Sequence, residues 1–260
     1  VALNFRQGEI LALVRAERRV LVEDLATRFD VTLQTIRRDL AELSQAGHLE
    51  RVHGGAVVRG GVANFGYEER RRMNAAAKAA IGRTCAAEIP HNTSLFLNLG
   101  TTTEAVARAL LGHRNITVVT NNINVANILI GNESCEVVLA GGSLRRSDGG
   151  LVGALTARFI AQFRVDLAVI GTSALDASGD LLDYDLAEVG VSQTIVRHAH
   201  ATALVADASK LARRAPVRIA SLADLELWVT DAPAPAALAR ACGDWGTRIC
   251  VAAPDARVST

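Results

Sequence analysis

Thr32-Leu33-Gln34-Thr35-Ile36-Arg37-Arg38-Asp39-Leu40, followed after a short gap by His53-Gly54-Gly55-Ala56, decides how the beginning of the chain folds. Thr32 carries the side-chain oxygen that an N-cap supplies, and Ile36, Leu40 and Leu43 recur at the three-to-four-residue interval of one buried stripe. The spacing predicts a helix over residues 33–46, stopped by Gly47. Its other face begins with Gln34, Thr35, Arg37 and Arg38. Amide, hydroxyl and guanidinium groups near a helix N-terminus suit the major groove, where Arg and Gln pair bidentately with base edges. As an ordinary solvated face, Arg37 and Arg38 would instead pair with Asp39 or Glu42 on neighbouring turns.

The flanking residues favour the groove. Upstream, Ile10, Leu11, Leu13 and Val14 mark one face of a helix over residues 6–18. Leu25, Ala26 and Phe29 mark a second, shorter one that breaks at Asp30-Val31-Thr32. Downstream, residues 49–57 read as two β-capable runs about a Gly-Gly turn, the pattern of a wing. Arg51 and His53 would then lie beside the third helix and reach phosphates, which set affinity and register rather than sequence selectivity.

Composition is consistent with this but does not suggest it. At 260 residues, half of them hydrophobic and 21% charged, the chain is globular and long enough for two domains. The net charge of +1 attracts neither nucleic acid nor membrane as a whole. Residues 1–59 hold nine arginines against eight acidic residues, so any DNA affinity depends on where the charges stand. No run of about 20 apolar residues and no secretory pattern occurs, so a cytoplasmic protein is expected. The start at Val1 without a Met suggests that a short N-terminal piece precedes it. Cys85, Cys135, Cys242 and Cys250 lack any C-x-x-C spacing and read as core-filling thiols, with no metal expected. Lysine occurs only at Lys78 and Lys210, beside 26 arginines, which singles both out.

Residues 58–66 carry three glycines and little periodicity, the composition of a hinge. The chain accordingly divides into a winged helix-turn-helix over 1–58, a linker and connecting helix over 59–78, and an α/β domain over 79–260. Residues 67–73, with three successive arginines, read as a solvated or interdomain helical face leading into an Ala-rich helix before Pro90. Beyond Pro90, short apolar β-runs alternate with helical ones, as in a doubly wound parallel sheet. Ligands in such sheets bind beyond the C-terminal ends of the strands. Three of those ends are polar: Gly100-Thr101-Thr102-Thr103, which opens a helix and suits a phosphate; Thr120-Asn121-Asn122; and Gly141-Gly142-Ser143-Leu144-Arg145-Arg146.

Thr32, Thr35, Ile36, Arg37, Arg38, Asp39 and Leu40, with His53 to Ala56 at fixed spacing, resemble the DNA-binding signature of the DeoR family. Further matching segments include Asn124-Val125-Ala126-Asn127, Gln162-Phe163-Arg164, Ser209-Lys210 and Thr230-Asp231-Ala232-Pro233, so the resemblance covers about residues 5–252. It implies a repressor of a carbohydrate or glycerol operon that binds double-stranded operator DNA through Thr32, Gln34, Thr35, Arg37, Arg38, Arg51 and His53. It implies a sensor domain similar to ribose-5-phosphate isomerase, a phosphorylated effector with glycerol 3-phosphate as first candidate, and a homodimer or homotetramer without cofactor. The matching pocket positions are Gly100, Thr101 and Thr102 for phosphate, Asn121, Gly141, Gly142 and Arg145 around it, Asp185 and Glu188 opposite, and Lys210 nearby. Asn98 and Ser192 depart from the family pattern, standing where it usually has Asp and Lys.

Two other classes compete. A sugar-phosphate isomerase could use Asp185, Glu188 and Lys210 for proton transfer, but a winged helix would then have no purpose. A metal sensor could use His198 and His200, yet residues two apart do not share a helical face.

Overall fold

The computed structural model describes residues 4–17, 19–46, 48–52, 54–58 and 67–253. The chain forms two compact units, residues 1–65 and 66–260.

Unit 1 runs α1 (Phe5–Glu17), β1 (Arg19–Leu21), α2 (Val22–Phe29), α3 (Leu33–Gln45), β2 (Leu49–Val52) and β3 (Gly55–Val58). Its core is the stripe legible in the sequence: Ile10 and Val14 of α1, Leu25 of α2, and Ile36, Leu40 and Leu43 of α3 are buried together. α2 ends where Asp30 adopts a left-handed conformation, and Thr32 caps α3 by accepting from the Thr35 backbone N–H at 3.2 Å. The wing pairs β2 with β3 antiparallel, and β3 also pairs with β1, a third strand that the sequence did not announce. Gly55 allows this approach, since a Cβ there would lie 1.9 Å from the Val20 carbonyl oxygen. Gly47, His53 and residues 59–66, the stretch expected to be a hinge, lie outside the described residues.

Unit 2 runs α4 (Tyr67–Arg72), α5 (Ala75–Ala87), β4 (Ser94–Leu97), α6 (Thr101–Ala109), β5 (Ile116–Thr120), α7 (Ile123–Leu129), β6 (Cys135–Leu139), β7 (Ser143–Arg145), β8 (Gly150–Val152), α8 (Ala154–Ile160), β9 (Val165–Ile170), β10 (Ala174–Leu175), β11 (Asp180–Asp183), α9 (Leu186–Arg197), β12 (Ala199–Val205), a 3-10 turn (Ala208–Ala212), β13 (Val217–Ser221), β14 (Leu227–Thr230), α10 (Ala236–Trp245) and β15 (Arg248–Val251). The charged and Ala-rich segments do not join into one helix, because Asn74, left-handed at φ 52°, breaks the chain between α4 and α5.

Seven strands form one parallel sheet in the order β15-β14-β12-β9-β4-β5-β6. Chain order runs outward from β4 to β5 and β6 on one side and from β9 to β12, β14 and β15 on the other, so the winding reverses between β4 and β9. Side chains alternate across the sheet: Leu95 and Leu97 pack with α5, α6 and α7, whereas Phe96 and Trp228 pack with α8, α9 and α10. A short antiparallel sheet, β10-β11-β13, and the hairpin β7-β8 complete the unit. Neither stood out in the sequence, because strands of two to five residues carry too little periodicity.

Candidate functional site

In unit 1 the third helix presents Gln34, Arg37 and Arg38 as exposed side chains. Arg37 and Arg51, far apart in sequence, line one groove of about 370 Å³ between α3 and the wing. Thr32 and Thr35 sit at the helix start with their hydroxyl oxygens 2.9 Å apart. Arg38 Nε donates to Glu42 Oε1 at 3.0 Å on the surface, the pairing expected of a solvated face. Such an exposed pair contributes only about 0–1 kcal/mol and yields readily to a phosphate or base. Asp39 turns inward, where Arg6 Nε donates to Oδ2 at 2.6 Å and Gln7 Nε2 approaches Oδ1 at 3.5 Å. It anchors the helix, a role its position in the signature did not disclose. His53 lies outside the described residues.

In unit 2, the C-terminal ends of β4 and β9 open on a small cavity of about 30 Å³ at the reversal of winding, where open α/β sheets bind ligands. Gly100, Thr101, Thr102, Glu188 and Lys210 line it, together with Arg70, Leu99, Gly171, Thr172, Ser173, Asp183 and Val205. Gly100, with φ +143° and ψ 148°, turns the strand directly into α6. Thr103 secures the turn by donating to the carbonyls of Gly100 (2.7 Å) and Asn98 (2.8 Å). The first N–H groups of α6, unsatisfied within the helix, and its dipole therefore meet at the cavity.

Its charges are strongly coupled. Burial and then Arg213, Lys78 and Arg70 bring the Lys210 ammonium down to about 7, against Asp207. Lys78 is also lowered, to about 8, chiefly by burial, and donates to the Arg70 carbonyl. Burial and Asp183 raise the Glu188 carboxyl to about 7, against Arg145. Arg145 does not line the cavity but reaches Asp148 (2.7 Å), Asp185 (2.6 Å) and Glu188 (2.5 Å). Burial works against its charge, but those acids outweigh it and raise the guanidinium above its ordinary range. Asp185 caps α9, accepting from the Ala187 N–H at 2.8 Å.

The remaining polar strand ends lie elsewhere. Asn121 Nδ2 donates to the Leu151 carbonyl at 3.0 Å and fastens β8. Gly141 accepts at its carbonyl from Thr156 Oγ1 at 2.9 Å. Gly142, at φ +146°, leaves no room for a Cβ, which would stand 1.9 Å from Thr156 Oγ1. The structure thus groups the β4 end with Glu188 and Lys210, and uses Asn121, Gly141 and Gly142 to seat the β7-β8 hairpin and α8. Arg70 went unnoticed in the sequence because it stood among three arginines read as a solvated or interdomain face; Arg70 instead lines the cavity, while Arg71 and Arg72 are exposed. The scarcity of lysine had singled out Lys78, which is buried and donates to the Arg70 carbonyl.

A larger groove of about 510 Å³ lies across Thr101, lined by Arg71, Lys78, Arg83 and Arg108 between α5 and α6. It is open to solvent and away from the strand ends, so the cavity at the end of β4 is the better candidate for specific recognition. Asn98 and Ser192 line neither space but meet in the interior: Asn98 Nδ2 donates to Ser192 Oγ at 2.9 Å, both buried.

Comparison with known proteins agrees with both units. A model of the DeoR-like helix-turn-helix domain matches residues 6–60, and one of the DeoR C terminal sensor domain matches residues 73–232. The glycerol-3-phosphate regulon repressor of Haemophilus influenzae is 45% identical over 231 residues, 88% of this chain and 90% of its own. That of Escherichia coli is 41% identical over 239 residues, 92% of this chain and 95% of its own. The HTH-type transcriptional repressor CsqR of Escherichia coli is 38% identical, covering 90% of each chain. Among solved structures, ribose 5 phosphate isomerase A of Neisseria gonorrhoeae aligns over 54% of either chain at 12% identity with a TM-score of 0.39, a likeness too slight to bear on the site.

Proposed function

Because the chain belongs to the DeoR family, we propose that it is a transcriptional repressor whose unit 1 holds operator DNA and whose unit 2 releases it when a phosphorylated three- to six-carbon metabolite enters the switch-point cavity. The observation that carries this reading is the convergence of the α6 N-terminus with Arg70 and Lys210, with Lys78 near enough to act on the Lys210 charge. An open helix start flanked by Arg70 and Lys210 recognises a dianion. Glycerol 3-phosphate is the first candidate, since two of the relatives above are named for its regulon. The chain is not an enzyme on this reading: Glu188, the nearest candidate base, is engaged by Arg145 rather than poised against a substrate. Arg37 and Arg38 read bases, Arg51 holds phosphate, and a homo-oligomer grips the two half-sites in the cytoplasm.

Operator titration by gel shift at several salt concentrations tests the DNA half. Arg37→Ala and Arg38→Ala should each cost about 1–3 kcal/mol on the operator, whereas Arg51→Ala should weaken all sequences alike and reduce the salt slope by about 1. Lys210→Ala and Thr101→Val should still bind operator but no longer release it with glycerol 3-phosphate. In the wild type the coupling should be about 1–3 kcal/mol. Unchanged operator affinity in the Arg37/Arg38 double variant, or a normal response in both pocket variants, would overturn the respective half.

A further inference from the structure

The cavity at the switch point, at about 30 Å³, has room for only one or two waters, whereas small-molecule sites occupy roughly 300–1,000 Å³. A phosphorylated metabolite therefore enters only if a wall moves. Most walls cannot move cheaply: Leu99, Thr102 and Val205 belong to the packed sheet and the start of α6. α4 is different, because none of its six residues is buried. Polar contacts hold it. Tyr67 donates its hydroxyl to Glu104 at 3.1 Å, Arg70 Nη2 reaches Asp148 Oδ2 at 3.2 Å, and Lys78 donates to the Arg70 carbonyl.

α4 is also a partition. Arg70 lines the cavity, its neighbour Arg71 lines the open groove of about 510 Å³, and Thr101 lines both. Displacing α4 would join the two spaces into one of the size a sugar phosphate needs. Arg70 has reason to leave its place: its Nε is buried and has no hydrogen-bond partner among the described residues, so an arriving anion offers it a bond that Asp148 does not. Asp148 would not be abandoned, since Arg145 retains its two bonds to that carboxylate at 2.9 and 2.7 Å.

Resting on the reading of the cavity as an anion site, we propose that α4 is a lid and Arg70 its latch, a ligand-binding residue that exchanges Asp148 for the anionic group of the effector. α4 is the element of unit 2 that lies nearest unit 1 along the chain, so its displacement is the change that reaches the winged helix. The closed lid is the arrangement that binds operator.

Hydrogen exchange and gel shift on the full chain test this in two arms. Without ligand, Tyr67→Phe and Asp148→Asn should each speed amide exchange over residues 67–74 and weaken operator binding about fivefold, because the closed population falls. Tyr67→Phe leaves Glu104 bonded to Asn124 and Arg108, so the fold should persist. Unchanged operator affinity in both variants would overturn the lid. With glycerol 3-phosphate or inorganic phosphate as probe and glycerol as uncharged control, residues 100–103 should gain protection while 67–74 lose it. Protection of both segments would overturn the lid and leave the anion site standing. If neither probe protects 100–103, the assignment of the cavity fails, and the first arm still decides whether α4 controls DNA binding.

Discussion

Lys210 makes the pocket sensitive to pH. With its ammonium lowered from the ordinary 10.5 to about 7 by burial and by Arg213, Lys78 and Arg70, it is largely neutral at pH 8. A bound phosphate dianion favours the charged form and also disfavours ionisation of Glu188, so binding should take up protons. Calorimetry with glycerol 3-phosphate at pH 7.5–8, in two buffers of different ionisation enthalpy, should show an uptake of roughly half a proton or more, diminished in Lys210→Ala. Proton release would contradict the placement of the anion beside this lysine. The sign for folding is separate. Lys210 binds fewer protons folded than unfolded between about 7 and 10.5, so its contribution to stability rises with pH across that window. Asn98 and Ser192 form a neutral buried pair. Changing Asn98 alone to Asp would bury a carboxylate without a cation.

At the scale of elements, the signature helix combines two tasks on different faces. Gln34, Arg37 and Arg38 point to solvent, while Ile36, Leu40 and Leu43 bind α3 to the core and Asp39 ties it to α1. Asp39 is buried but Arg6 is partly exposed, so losing the pair returns Arg6 to water and leaves α3 with one charge-assisted bond fewer. Asp39→Asn should lower stability by about 1–3 kcal/mol, read from thermal melting, with operator affinity falling only in proportion to the unfolded fraction. A selective loss of operator affinity in a fully folded variant would instead assign Asp39 to DNA. In unit 2, α5 approaches α6 as closely as Gly82 permits, a Cβ there standing 2.6 Å from the Ala105 backbone. That contact fixes α6, whose N-terminus faces the cavity.

At the scale of the molecule, unit 1 has its own core and can be asked to act alone. One winged helix touches few phosphates, and specific affinity at physiological salt comes from two half-sites held together. A chain ending at Ala63 should sediment as a monomer and bind operator at least about tenfold more weakly than the full chain, because effective concentration is lost with the link between half-sites. A dimeric fragment with full affinity would place the association in unit 1.

The sequence by itself determined the winged helix, the doubly wound sheet and the family. These follow from local periodicity, capping at Thr32, apolar strands such as Ile116-Thr117-Val118-Val119, and a signature at fixed spacing, all of which act within a few residues of each other. It also marked Gly100, Thr101 and Thr102, since a strand that turns straight into a helix is legible as such. What it left open was which strand ends share one cavity. Three looked alike, and only the strand order, which places β4 beside β9, brought the first together with Lys210, Glu188 and Arg70 while giving Asn121, Gly141 and Gly142 to the β7-β8 hairpin and α8. Arg70 meets Asp148 across 78 residues and Asn74 meets Asp207 across 133, and pairings at that range are set by the packed sheet rather than by neighbours in the chain.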